Sequence, residues 1–97
     1  MRDSVKVKLN GIKSAEEFSN ICKMYDEDIS YIIGRYTIDA KSILGLLSTT
    51  LGKVAEVKIQ TKDLKIKDLF FDSINSWIVE ENIWELNLIP LMILIAL

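Results

Sequence analysis

The segment Gly11-Ile12-Lys13-Ser14-Ala15 places a hydroxyl and an ammonium next to a glycine where a helix reads as beginning. Free amides and the positive end of a helix dipole favour anions at such a place. Ser14 with Glu17 also fits the capping box, in which the serine hydroxyl satisfies one orphan amide and the glutamate reaches back. Capping is the stronger of the two readings. Ser42 stands at the start of a short apolar segment and reads as an N-cap for the amides behind it. Cys22 lies on or beside an apolar helical stripe and reads as a small buried hydrophobe rather than a reactive thiol. Asp26-Glu27-Asp28 reads as a solvated helix exit, not a metal site.

The residues that are missing decide more. The chain has no histidine, which removes imidazole metal ligation, serine–histidine or cysteine–histidine nucleophilic chemistry and phosphohistidine. One cysteine excludes an internal disulfide and any multi-cysteine zinc or iron–sulfur site, and it fits a reducing compartment. No cofactor or metal is expected. Twelve Lys+Arg against 14 Asp+Glu leave a net charge of −2, so a basic field for nucleic acid is not expected.

The elements that must hold these residues follow from periodicity. Val5, Val7 and Leu9 alternate with lysines as a half-buried strand. Asn10-Gly11 breaks it. Ala15, Phe18, Ile21 or Cys22, and Tyr25 form the stripe of an amphipathic helix of about three turns. Ile29–Ile33 and Tyr36–Asp39 read as a hairpin joined by Gly34-Arg35. The segment Lys41 to Leu47 reads as a short helix opening near Ser42, within which Gly45 weakens the helix but permits close packing. Val54–Gln60 alternates again, and Asp63 caps a last helix whose stripe Ile66, Phe70, Ile74, Ile78 predicts more than three turns. The order is βαββαβα, an α+β domain with helices over an antiparallel sheet. At 97 residues one modest core is feasible.

These blocks resemble the histidine-containing phosphocarrier (HPr) family of the phosphoenolpyruvate-dependent sugar phosphotransferase system. The most specific match is Ile38-Asp39-Ala40-Lys41-Ser42-Ile43-Leu44-Gly45-Leu46-Leu47-Ser48, which resembles the segment around the family's regulatory serine. Gly52-Lys53-Val54-Ala55-Glu56-Val57 and Tyr25 to Ile29 resemble neighbouring family blocks. The likeness spans roughly residues 4–81. It implies an open-faced β-sandwich, with four antiparallel strands and three helices on one side. In the active-centre pattern Gly-Leu-His-Ala-Arg-Pro-Ala, the histidine accepts the phosphoryl group. Here Gly11, Ile12, Lys13, Ser14 and Ala15 occupy that region with no histidine. Lys13 falls at the family arginine and Ser14 at its proline, and a serine ester would be far less labile than a phosphoramidate.

By this resemblance Ser42 is a candidate regulatory phosphosite. Ile43, Leu44, Leu46 and Leu47 form a candidate docking surface that a phosphate on Ser42 would gate. The resemblance implies a cytoplasmic, non-catalytic, regulatory protein-binding module. Its partners would be phosphotransferase-system enzymes or transcriptional regulators, with no nucleic acid. Two rivals stand beside it: a phosphotransferase-system component regulated through Ser42 phosphorylation, and a phosphocarrier with a different acceptor. Residues 1–82 are read as the domain. The segment 83–97 lies beyond the family pattern, and 12 of its 15 residues are apolar. That is short of the about 20 residues of a spanning helix, and Pro90 interrupts it, so a membrane role is not favoured. Extension of the last helix, an added strand, membrane contact, self-association and a vestigial segment without a selected role are the alternatives for it.

Overall fold

A computed structural model of the chain describes residues 2–79. Its elements are β1 (Val5–Lys8), α1 (Ile12–Cys22), β2 (Ile29–Ile33), β3 (Tyr36–Asp39), α2 (Ile43–Leu47), β4 (Val54–Ile59) and α3 (Leu64–Ser73), followed by a 3-10 turn over Asn75–Trp77. This is the expected βαββαβα order. The four strands form one antiparallel sheet in the order β1-β4-β2-β3.

Register follows from the alternation of apolar residues, because a slip of one residue would turn every buried side chain to the wrong face. Val5 pairs with Val57, Val57 with Tyr31, and Tyr31 with Ile38. These four make one apolar row across the sheet. Val7, Ala55, Ile29 and Ile59 extend the same face and join Ala15, Phe18, Cys22, Leu46, Phe70, Phe71 and Ile74 from the helical segments in one core. The helices therefore cover one face, and Glu56 and Lys58 alternate onto the open one. Phe18 links the layers, edge-on to Tyr31 at 6.1 Å and to Trp77 at 5.8 Å between ring centroids.

The β2–β3 connection is the two-residue turn Gly34-Arg35, with Gly34 at φ 57. That left-handed value at the first turn position is what a twisted hairpin needs and what glycine supplies without strain. Asp63 caps α3 as expected, its Oδ1 accepting from the Lys65 amide at 2.9 Å and the Ile66 amide at 3.4 Å.

Two expectations about helices need correction. The α1 helix begins at Ile12, ahead of Ser14, and ends at Cys22, short of Tyr25. The expected capping box is not formed. Gly11 takes the N-cap position in an extended conformation, its carbonyl accepting from the Ala15 amide at 3.0 Å, with no side-chain cap. Ser14 is thus within the first turn, and a residue already helical cannot adopt the extended dihedrals that capping requires.

The last helix is also shorter than its stripe predicts. It stops at Ser73, and Ile78 forms a bridge with Val7, while the Val79 amide donates to the Lys6 carbonyl at 2.8 Å. The free edge of β1 offers backbone partners there, and the chain turns to meet them. The domain boundary at 82 and all readings of 83–97 lie outside the described residues.

Candidate functional site

The opening of α1 is the region where the sequence departs from the phosphocarrier pattern. Ile12 is 61% exposed and Lys13 is exposed, Ser14 is half-buried and Ala15 is fully buried. Ala15 therefore anchors the turn while Ile12 and Lys13 face solvent. The first-turn amides have no side-chain partner, so their partial positive charge remains available to water or an anion. The α2–β4 loop lies alongside, because the Gly52 amide donates to the Leu9 carbonyl at 2.7 Å, just before Gly11.

The opening of α2 is built differently. Ser42 has extended dihedrals, φ −95 and ψ 105, and its Oγ accepts from the Gly45 amide at 3.1 Å. It is a true N-cap. Gly45 faces the sheet so closely that a Cβ there would lie 2.8 Å from Cγ2 of Ile38 and 3.2 Å from Ser42 Oγ. The close packing expected of Gly45 is what the fold uses.

The four apolar residues of α2 do not share one surface. Leu46 is fully buried, Ile43 is half-buried against the core, and Leu44 and Leu47 are 78% and 37% exposed. Leu46 must be removed from the expected docking surface. A five-residue helix lying on a sheet has to bury one side, and Leu46 occupies it. Leu44 and Leu47, three apart, stay on the outer side.

Two residues that periodicity did not single out hold α2 against α1. Ser19 is buried on the inner side of α1 and donates from Oγ to the Lys41 carbonyl at 3.0 Å. The Lys41 Nζ donates to the Tyr25 carbonyl at 2.6 Å, and the Lys41 amide donates to Asp39 Oδ1 at 2.9 Å. These three bonds fix the segment immediately before Ser42. A serine at the i+4 position from Ala15 is the signal for Ser19, since it stands on the stripe that also holds Phe18 and Cys22.

Cys22 is fully buried, as expected. Loss of solvation pushes its thiol from an ordinary 9.0 up to about 12, against which Lys41 acts weakly and Asp39 adds to the rise. It supplies no thiolate near neutral pH. In the α1–β2 connection Asp26 and Asp28 are exposed and Glu27 half-buried. Among the described residues no three His, Cys, Asp or Glu side chains gather as metal ligands, and no helix is long and apolar enough to cross a membrane.

Neither Gly11–Ala15 nor Ser42 is hydrogen-bonded to the other among the described residues. What joins them is the packing of α1 on α2. No protein-family model matches the sequence, and no curated protein is significantly similar to it. Among solved structures the chain is similar to a histidine-containing phosphocarrier protein from Mycoplasma, with a TM-score of 0.53 and 13% identity over 73% of this chain and 94% of that one. The fold is therefore the HPr-like open-faced sandwich.

Proposed function

We propose that this protein is a non-catalytic, HPr-like protein-binding module that has no phosphoryl relay. The observation that carries the reading is the content of the α1 opening: Gly11 to Ala15 holds a lysine and a serine on an HPr-like fold, and the chain contains no imidazole. Lys13 is exposed, whereas a lysine serves as a nucleophile where a desolvating pocket or a neighbouring cation activates it. Phosphoryl transfer to a serine would give a stable ester, which ends a relay instead of continuing it. The docking face is the outer side of α2, where Leu44 and Leu47 stand exposed. Covering Leu44, which is 78% exposed, contributes on the order of 1.5–3 kcal/mol at most, and Leu47, only 37% exposed, contributes less. The partners are phosphotransferase-system enzymes or transcriptional regulators in the cytoplasm, on the strength of the family resemblance.

Incubation with the first enzyme of the phosphotransferase system and labelled phosphoenolpyruvate is expected to leave the protein unlabelled. Label at Ser14 or Lys13 would establish the rival reading of a carrier with a different acceptor. Capture of phosphotransferase enzymes by the wild-type chain is expected to fall at least ~10-fold in the Leu44→Glu/Leu47→Glu variant. Unchanged capture would remove α2 as the docking face.

Ser42 supports a second reading, regulation by phosphorylation. Ser42 is half-buried and stands two residues before the exposed Leu44. A phosphate there would add charge and desolvation cost beside an apolar contact. Treatment with the family's serine kinase followed by mass spectrometry tests this reading, and an unmodified Ser42 would end it.

A further inference from the structure

We propose that the cleft between the β2–β3 turn and the α2–β4 loop binds a small organic anion with an apolar body. The cleft measures about 460 Å³, inside the range of about 300–1,000 Å³ typical of small-ligand sites. None of the residues of the α1 opening, nor any assigned to docking or phosphorylation, lines it.

Arg35 and Lys53 both line this cleft, and no aspartate or glutamate does. In a chain of net charge −2, that is a local reversal of sign. Among the described residues neither cation is paired with a carboxylate. Both cations also stand next to constrained backbone. Arg35 follows Gly34 within the tight hairpin turn, and Lys53 follows Gly52, which is at φ 86 and bonded to Leu9. The two charges are thus held at one cleft by backbone that is already ordered, which lowers the entropy cost of bringing them to a ligand.

The remaining lining sets the orientation of the ligand. Ile33 and Ile38 supply apolar wall. Ser48 and Thr49 present hydroxyls, but each donates its proton to a carbonyl of α2 at 2.6 Å, Ser48 to Gly45 and Thr49 to Leu46. Their oxygens therefore offer lone pairs, which repel an anion. The anionic group belongs with Arg35 and Lys53, where a guanidinium can grip two oxygens at once, and the apolar body lies across Ile33 and Ile38. A phosphate monoester and a carboxylate share this chemistry.

The test is an amide-shift titration of the full chain at neutral pH and constant ionic strength. The probes are phenyl phosphate, benzoate, inorganic phosphate and benzyl alcohol. Phenyl phosphate or benzoate is expected to move the amides of Gly34, Arg35, Thr49 and Lys53 saturably. The better of the two is expected to bind at least ~10-fold more tightly than either inorganic phosphate or benzyl alcohol, and which one leads identifies the anion. Arg35→Gln and Lys53→Gln, both at exposed positions, are each expected to weaken binding about tenfold without moving distant amides. Leu44→Glu is expected to leave it unchanged. Equal affinity for inorganic phosphate, shifts scattered over other lysines, no saturation, or full binding by Arg35→Gln would each overturn the proposal.

Discussion

Ser14 and Ser42 are the same residue type at the start of two neighbouring helices, and the fold uses them in opposite ways. Ser42 holds an extended backbone and its hydroxyl accepts from the Gly45 amide. Ser14 is inside the first turn of α1, whose N-cap is the bare Gly11. The difference is one of backbone conformation, not of side-chain chemistry. Ser42 follows a segment tied down by Lys41, and that tie settles where α2 can begin. Gly11 follows a loop, and Ala15 has to reach the core, which pulls the start of α1 forward. One helix opening is closed by its own serine, and the other keeps its amides free.

The strongest way to break this contrast is to attack what anchors each opening from below. Leu46→Ala is expected to cost about 2–5 kcal/mol, because Leu46 is fully buried. Ile12→Ala, at a position 61% exposed, is expected to stay within about 0.5 kcal/mol. Urea denaturation compares the two, and equal losses would mean that α1's opening is packed as deeply as α2. A smaller effect is expected at Gly45. Alanine is the better helix former by about 1 kcal/mol, yet its Cβ would meet Ile38 Cγ2 at 2.8 Å. Ile38 is β-branched and stiff, so Gly45→Ala is expected to destabilise by roughly 1–3 kcal/mol. Adding Ile38→Ala should erase most of the penalty of the Gly45 change, as a double-mutant cycle would record.

The serines themselves give the finest comparison. Ser42→Ala is expected to cost about 1 kcal/mol through loss of the cap. Ser14→Ala is expected to be neutral or stabilising by up to about 0.5 kcal/mol, since alanine is favoured within a helix. Thermal unfolding of the two variants measures the difference directly. An equal cost at Ser14 would show that it caps α1 in solution.

The element order was legible because each strand alternates and each helix has a stripe, from Val5-Lys6-Val7 to Ile66-Phe70-Ile74. The ends of the helices were less so. Ser14-Ala15-Glu16-Glu17 is a sound local match to a capping box, but the position of Ala15 over the sheet overrode it. The stripe through Ile78 continues in sequence beyond the point where the chain leaves the helix to pair with β1. Four apolar residues in α2 suggested one docking surface, and only their placement on the sheet separates buried Leu46 from exposed Leu44. Ser19 and Lys41 gave weak signals, since a polar residue on an apolar stripe acquires meaning only through its distant partner.

The amino-acid sequence by itself determined the strand and helix types, the cap at Asp63, the turn at Gly34 and the absence of an imidazole. Those follow from side-chain period, backbone preference and composition, which act over a few residues. The tertiary structure decided which serine caps its helix, which leucine of α2 is left to solvent, and that Arg35 and Lys53 share a cleft. Such outcomes depend on contacts between residues far apart in the chain. A local pattern cannot report a neighbour that only the sheet brings near.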